Sequence, residues 1–300
     1  MKRRMLSVAL LAVLLLGACG GDDDPAVDAA ADDAAEAVDD ATDEAAEPEI
    51  QKVSIGAKEY SFDAPKEIDS GTTEFTMKNE GKEGHIAVIA KIADGKTFAD
   101  VTKALQTPPG SPPAGPPPFE EVAGIASVSP GLSSNVTAEI EPGSYLFACF
   151  LPSPDGAPHI AKGMVAPFTV TKSDAEAAPL PAAVAEVSAK DFSYTTDFKA
   201  KAGEQVITLK NDGTQLHEIT LAEFAPGKGP GDLEAYFKKP DGPPPATFFG
   251  GPVVEKGGEI SWKTPALVAG KTYVFMCLIP DVADGIPHAA KGMVLPVAVT

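Results

Sequence analysis

Two sets of metal-binding residue types occur in the same order along the chain. Each set contains a histidine, a cysteine, a second histidine and a methionine: His85, Cys149, His159 and Met164, then His217, Cys277, His288 and Met293. Corresponding members lie 128 to 132 residues apart, and the two sets contain all 4 histidines of the chain. Two imidazoles, a thiolate and a weak axial thioether are the ligands of a trigonal copper site. The sequence therefore predicts two copper sites, one for each set.

The same residues have ordinary structural interpretations that the sequence alone leaves open. A single histidine is often a polar residue at the rim of a sandwich, and a methionine often fills a gap in a core. Cys149 and Cys277 are the only cysteines outside the N-terminal segment, and an oxidising compartment would allow a disulfide between them. Because both occupy equivalent positions of two copies, that disulfide would require two loop ends to meet. The recurrence of the whole set favours metal binding.

Residues 1–18 are predicted to be a signal peptide. Three basic residues precede an apolar run, Leu6 to Leu16, that is too short to span a bilayer comfortably. The run ends at Leu16-Gly17-Ala18-Cys19, which resembles the cleavage site of a bacterial lipoprotein. The resemblance implies that Cys19 carries the lipid and anchors the protein to the extracytoplasmic face of the cell membrane. An ordinary secretory signal with an incidental cysteine is the alternative.

Residues 19–49 are predicted to be a disordered acidic tether. Between Asp22 and Glu49 the chain has 13 acidic residues and no basic one. Such a segment repels itself and buries too little apolar surface to fold. Without this segment and the basic start, the net charge changes from −19 to −9. Nothing in this moderate acidity indicates nucleic-acid binding.

The rest of the chain is predicted to contain two copies of one domain, at residues 50–172 and 184–300, joined by a linker at 173–183. Three motifs recur besides the metal-ligand set. They are Lys78-Asn79-Glu80-Gly81 and Lys210-Asn211-Asp212-Gly213, Tyr145 to Cys149 and Tyr273 to Cys277, and Pro158 to Val165 and Pro287 to Val294. A repeat of about 130 residues is the size of a domain and too long for a solenoid unit.

Each copy is predicted to be an all-β sandwich with one short inserted helix. Alternation between apolar and polar residues predicts strands in the first copy near 51–56, 73–79, 85–91, 124–128, 133–140, 144–150 and 164–171. Thr97 can cap a helix from Phe98 to Leu105, and a counterpart is expected near Asp232–Lys238. Proline-rich stretches at 108–118 and 240–245 end both helices. Many short strands between turns favour an antiparallel sandwich.

Both copies resemble cupredoxins, with the closest similarity to plastocyanin. In each copy a loop that begins at an asparagine ends at the first histidine, as in Asn79–His85 and Asn211–His217. The other ligands come from a Tyr-x-Phe-x-Cys strand and from a loop in which four residues separate histidine from methionine. The resemblance covers nearly all of residues 50–300. It implies two tandem Greek-key sandwiches that each hold one type 1-like copper for electron transfer.

The ligand loops also differ from those of plastocyanin. Nine residues in the first copy and ten in the second separate the cysteine from the second histidine, a longer gap than in plastocyanin. Similarly long gaps occur in the copper domains of nitrite reductases. Ile86 and Glu218 follow the first histidines, where plastocyanin has an asparagine. Lys162 and Lys291, inside the ligand loops, are expected to be solvated charges.

The predicted function is electron transfer by a membrane-anchored protein with two copper sites, acting with redox or copper-trafficking protein partners. Two alternatives stay open. The first is copper capture, storage or delivery, which loose cysteine-to-histidine loops would favour, and the second is a metal-free interaction module. No histidine remains for a type 2 or trinuclear copper site, or for a Ser-His-Asp triad. We therefore expect no enzymatic activity.

Overall fold

The computed structural model describes residues 48–105, 115–239 and 242–300, with only the backbone of Phe237 and Lys238. The predicted signal peptide, Cys19 and nearly all of the tether lie outside the described residues, as do parts of both proline-rich stretches. Within the described ranges, no helix combines the length and the apolar character needed to cross a membrane.

The described part of the first half contains nine strands and one α-helix. They are β1 (Gln51–Lys58), β2 (Ser61–Asp63), β3 (Glu67–Asp69), β4 (Gly71–Asn79), β5 (His85–Ile92), α1 (Phe98–Leu105), β6 (Phe119–Val128), β7 (Ser133–Ile140), β8 (Gly143–Ala148) and β9 (Val165–Thr171). A 3-10 turn covers His159–Lys162. All seven expected strands are confirmed, and β2 and β3 are short additions.

The described part of the second half repeats this order with shorter strands. They are β10 (Ala185–Lys190), β11 (Ser193–Thr196), β12 (Val206–Asn211), β13 (His217–Glu218), β14 (Thr220–Phe224), α2 (Pro230–Lys238), β15 (Ala246–Phe248), β16 (Pro252–Val254), β17 (Glu259–Lys263), β18 (Thr272–Met276) and β19 (Val294–Ala298). A second 3-10 turn covers His288–Lys291.

Each half is a sandwich of two sheets with an apolar core between them. In the first half β2, β1, β4 and β7 oppose β6, β5, β8, β9 and β3, and in the second half β11, β10, β12 and β17 oppose β15, β14, β18 and β19. Phe75 and Phe147 meet edge to face across the first core, as Trp262 and Phe275 do across the second. All four rings are almost completely buried. The predicted all-β sandwich architecture is confirmed.

Three strand pairs are parallel, which the antiparallel prediction did not include. They are β1 with β4, β10 with β12, and β3 with β9. Between β1 and β4 the chain crosses to the opposite sheet to form β3, so β4 returns in the direction of β1. The other pairs among the described strands are antiparallel.

The two halves are joined by strand pairing as well as by the chain. β17 of the second half pairs with β7 of the first, with Ser261 opposite Thr137. β16 likewise pairs with β6, with Val253 opposite Gly124. Two sheets therefore run continuously from one half into the other.

The predicted linker packs against the first half. The hydroxyl of Thr72 in β4 donates a hydrogen bond to the carbonyl oxygen of Ala178, and Ala178 is buried. The predicted domain boundaries, at residues 172 and 184, stay a prediction, because contacts of this kind cross them.

Helix α1 has the predicted bounds because its cap is local. The amide of Asp100 donates to the Thr97 hydroxyl over 3.2 Å, and the amide of Thr97 donates to the Asp100 carboxylate over 2.8 Å. Val101 packs with Ile160 of the ligand loop, in a cluster separate from the main core. The helix thus supports the loop that carries His159.

Helix α2 begins at Pro230, two residues before the predicted start. Proline is favoured in the first turn of a helix, where its missing amide hydrogen costs nothing. Leu233 packs with Met276, which directly precedes Cys277. The inward position predicted for Phe237 concerns a side chain outside the described part.

Candidate metal centres

The ligand set of the first half comes from the start of β5 and from the segment between β8 and β9. His85 is the first residue of β5, and Cys149 directly follows β8. His159 opens the 3-10 turn, and Met164 directly precedes β9. All four side chains are completely buried. The second half places its corresponding residues in the same way, also fully buried: His217, Cys277, His288 and Met293.

The two imidazoles and the thiol of each set meet around one point. In the first half the Nδ1 atoms of His85 and His159 are 3.2 Å apart, and Cys149 Sγ is 3.4 Å from His159 Nδ1. In each half the three ligand atoms lie within 4.8 Å of one another. The predicted grouping of two histidines with one cysteine is therefore present.

The second centre has nearly the same dimensions. The Nδ1 atoms of His217 and His288 are 3.2 Å apart. Cys277 Sγ is 3.4 Å from His288 Nδ1 and 4.0 Å from His217 Nδ1. Lone pairs that converge in this way repel each other unless a cation or a proton lies among them. The donor set of two nitrogens and one sulfur fits copper.

The backbone brings each methionine next to the other ligands. The amide of Met164 donates to the carbonyl oxygen of His159 over 3.0 Å, and the amide of Cys149 donates to that of Met164 over 3.2 Å. The second half has the same two bonds at Met293, at 3.0 and 3.2 Å. Gly163, with φ of 100°, makes the turn between histidine and methionine. The axial role of the methionines stays a prediction.

The long cysteine-to-histidine segments are closed at their base. The amide of His159 donates to the carbonyl oxygen of Leu151 over 2.8 Å, and that of Ile160 donates to Cys149 over 2.8 Å. The amide of His288 donates to Ile279 in the same way, over 2.9 Å. The extra residues, which lie between Leu151 or Ile279 and the second histidine of each half, form a separate loop that we call the excursion. These hydrogen bonds restrain the backbone next to the cysteine and the second histidine of each segment.

Burial sets the protonation of the metal-free centres. It raises the pKa of the Cys149 thiol to about 11 and raises that of Cys277 as well. It lowers the pKa values of His85, His217 and His288. At neutral pH the thiols are therefore protonated and these imidazoles neutral. A bound metal has to displace a proton from each thiol.

Three carboxylates face the Nε2 side of the histidines. The Nε2 atom of His159 is 2.9 Å from Glu83 Oε2, and that of His217 is 2.9 Å from Asp191 Oδ1. Glu59 Oε1 lies 3.5 Å from the Nε2 atom of His85. A carboxylate that accepts from Nε2 keeps the proton there and leaves Nδ1 free for a metal.

Sequence reasoning missed these carboxylates. A signal was present, because the two copies align Glu59-Tyr60 with Asp191-Phe192 in the turn after the first strand. Burial works to raise the pKa of Asp191, but hydrogen bonds from Thr214 and His217 outweigh it and lower the pKa to about 2. This carboxylate is thus ionised wherever its histidine is neutral.

A buried asparagine holds the loop before each first histidine. Asn79 Nδ2 donates to the carbonyl oxygens of Glu83, over 2.7 Å, and Val128, over 2.8 Å. Asn79 Oδ1 accepts from the amide of Gly81 over 2.9 Å. Asn211 makes the equivalent three bonds in the second half. The recurring Lys-Asn-x-Gly motif is thus a structural element of each centre.

Lys162 and Lys291, predicted to be solvated charges, form ion pairs that the prediction did not include. Lys162 Nζ is 2.6 Å from Asp155 Oδ2 and lies 4.7 Å from the centroid of the Tyr60 ring. Lys291 Nζ is 2.7 Å from an Asp284 carboxylate oxygen. The lysine side chains are only 25% and 21% exposed. Their aspartates lie in the excursions of the ligand loops, so these ion pairs tie the excursions to the 3-10 turns.

The disulfide alternative is not found. Cys149 and Cys277 are both free and buried, and each lies beside a histidine of its own half. The two thiols therefore belong to separate centres.

Alanine in place of Gly213 is expected to weaken the second centre selectively. An added Cβ would lie 2.5 Å from His217 Nε2 and 2.6 Å from Asp191 Oδ1, so the ring and its carboxylate must move. We expect copper affinity of the second centre to fall about ten- to hundredfold, as when a supporting group is lost. Titration with a competing chelator measures this. Gly231→Ala is the control, because its Cβ meets nothing within 4 Å, and equal affinities of the two variants would contradict the expectation.

Comparisons with known proteins identify copper proteins among similar structures. No protein-family model and no curated protein matches the chain. The chain is similar to reduced auracyanin from Roseiflexus castenholzii, with 26% identity, a TM-score of 0.28, and coverage of 40% of this chain and 97% of that one. It is also similar to a multicopper oxidase, with 15% identity and a TM-score of 0.26. The match covers 84% of this chain and 89% of the oxidase.

A third similar structure is the copper nitrite reductase of Nitrosomonas europaea, with 15% identity and a TM-score of 0.25. The match covers 84% of this chain and 94% of the reductase. Within this chain, two successive sandwiches each carry a buried His-Cys-His group at one end. These similar structures are cupredoxin-fold proteins, which is consistent with the two cupredoxin-like copies expected from the sequence. The two buried groups of this chain can each hold a copper ion.

The expectation that the protein is not an enzyme is corrected. Two of the similar structures, each covering 84% of this chain, are named as a multicopper oxidase and a copper nitrite reductase. The count of histidines within one chain does not exclude such chemistry, because ligands can come from another chain.

Proposed function

We propose that the protein holds one copper ion in each half and transfers electrons. The first ion would be bound by His85, Cys149, His159 and Met164, and the second by His217, Cys277, His288 and Met293. The observation that carries this proposal is the convergence of two Nδ1 atoms and one thiol in each half, within 4.8 Å of one another. Bound copper would supply one-electron exchange between Cu(II) and Cu(I).

The protein residues contribute a ligand cage that changes little between the two oxidation states. The thiol lies at the end of a buried strand, and closure bonds tie both Cys149 and His159 to neighbouring backbone. Carboxylates fix the ring orientation of His159 and His217 from the Nε2 side. A rigid cage needs little rearrangement when an electron arrives or leaves, which favours fast transfer.

The alternative of copper capture or delivery relied on loose ligand loops. The closure bonds at Leu151 and Ile279 and the ion pairs of Lys162 and Lys291 restrain those loops. This restraint favours electron transfer over rapid metal exchange. The alternative of a metal-free module leaves the converging donor atoms without a role.

We further propose that the protein acts at the extracytoplasmic face of the cell membrane, held by a lipid on Cys19. The acidic segment up to Glu49 would then be the spacer between the membrane and the first half. Membrane-bound and soluble redox proteins are the proposed partners, because an anchored carrier can exchange electrons with both.

Addition of Cu(II) to the metal-free protein is expected to load two ions per chain. Each should produce an intense thiolate-to-copper absorption that bleaches on reduction and returns on oxidation, without release of metal. Visible spectroscopy with copper analysis over repeated redox cycles measures this. Loss of copper after each reduction would contradict electron transfer and support a delivery function.

A further inference from the structure

The second histidine of the first centre has a partner set that the second centre lacks. Glu83 Oε2 lies 2.9 Å from His159 Nε2, and the Tyr60 hydroxyl donates to Glu83 Oε1 over 3.3 Å. The Tyr60 ring also meets the His159 ring edge to face, with centroids 5.0 Å apart. The Glu83 side chain is only 25% exposed. Its charge therefore lies close to the centre and partly out of water.

Different residues occupy the equivalent positions of the second centre. Asn79 binds the carbonyl of Glu83, and Asn211 binds that of Gln215 in the same way, so Gln215 is the counterpart of Glu83. Gln215 Oε1 accepts from the amide of Val282 over 2.9 Å. The second copy thus has neither the carboxylate nor its hydroxyl donor.

His288, the counterpart of His159 in the second half, has no carboxylate partner of this kind. Phe192 replaces Tyr60 and meets the His288 ring edge to face, at 5.2 Å between centroids. The Nε2 atom of His288 is buried and has no hydrogen-bond partner among the described residues. Two substitutions between the copies, Tyr60 to Phe192 and Glu83 to Gln215, therefore remove one connected set of contacts.

We propose that Glu83 is a positioning residue that lowers the reduction potential of the first copper site and has no equivalent at the second. A carboxylate that accepts from Nε2 increases the donor strength of Nδ1, which favours Cu(II) over Cu(I). A partly buried negative charge near the metal acts in the same direction, because it is weakly screened. This inference rests on the proposed function, and it makes the two sites inequivalent.

The fold of the loop does not depend on the carboxylate of Glu83. Its amide donates to Glu59 Oε1 over 2.8 Å, and its carbonyl accepts from Asn79 over 2.7 Å, so the loop is held through main-chain atoms. Glutamine has the same shape and already occupies this position in the second copy. The variant Glu83→Gln therefore removes the charge and keeps the loop.

The test measures one site at a time in the full chain. Cys277→Ser leaves the first site as the only source of a thiolate-to-copper absorption. In this background Glu83→Gln is expected to lower the ratio of Cu(II) to Cu(I) affinity about tenfold. For a one-electron couple this raises the reduction potential by about 59 mV. Spectroelectrochemical titration of the absorption band gives the potential.

The matched control is Glu83→Gln in a Cys149→Ser background, where the potential of the second site should not change. Glu83→Ala removes the charge and is too short to contact His159. It should shift the reduction potential of the first site in the same direction as Glu83→Gln. A change of less than about twofold in the affinity ratio for both Glu83 variants would overturn the inference. If the Cys277→Ser protein with Glu83 intact shows no thiolate-to-copper band, the proposed function itself fails.

Discussion

Serine in place of Cys277 is expected to remove one of two bound copper ions and about half of the thiolate-to-copper absorption. The thiol is the only sulfur donor in its His-Cys-His group, and a serine hydroxyl does not replace it as a copper ligand. Cys149→Ser should remove the other half, and the double variant should show no such absorption. Copper analysis and visible spectra of the three proteins measure these changes.

The remaining cysteine provides the control for this experiment. Cys19→Ser should leave both absorption bands and two copper ions in place, because Cys19 belongs to neither of the two recurring His-Cys-His-Met sets. Complete loss of both bands in either single variant would contradict two independent centres. It would indicate one site shared between the halves.

Alanine in place of Asn79 is expected to reduce the free energy of unfolding of the metal-free protein by about 3 kcal/mol. The side chain is completely buried and makes three hydrogen bonds, to Gly81, Glu83 and Val128. Each buried group left without a partner costs about 1–3 kcal/mol. Denaturant titration measures the loss, and weaker copper binding at the first site should accompany it.

Asn135 is the matched control for that change. It is half-buried on β7, and its side chain reaches the main chain of Lys263 over 3.2 Å at the surface. Asn135→Ala should cost less than about 1 kcal/mol, because water can replace an exposed hydrogen bond. Equal losses for both variants would show that the loop does not depend on the buried amide of Asn79.

The grouping of two histidines with one cysteine in each half could be predicted from the sequence, because residue type, order and recurrence are read directly from the chain. The strands of the first half and helix α1 were predictable for the same reason. Thr97 and Asp100 cap that helix within one turn. Met164 and Met293 lie directly before the last strand of each half, and their axial role stays a prediction.

The supporting carboxylates were missed, because they contact histidines in other segments of the chain. Glu59 and Asp191 resemble ordinary charged turn residues until folding brings them to histidines 26 residues further along the chain. Lys162 and Lys291 pair with aspartates seven residues earlier in the chain, and these ion pairs depend on how the loop between them folds. The strand pairs between the halves depend on the register of segments more than 100 residues apart.

Those strand pairs have a consequence for the pair of metal centres. β6 is hydrogen-bonded to β16, and β7 is hydrogen-bonded to β17. The two halves therefore cannot move independently of each other. The distance between the two candidate metal centres is thus held nearly constant during thermal motion. Separation would also expose unpaired strand edges, which favour aggregation, so each half covers a strand edge of the other.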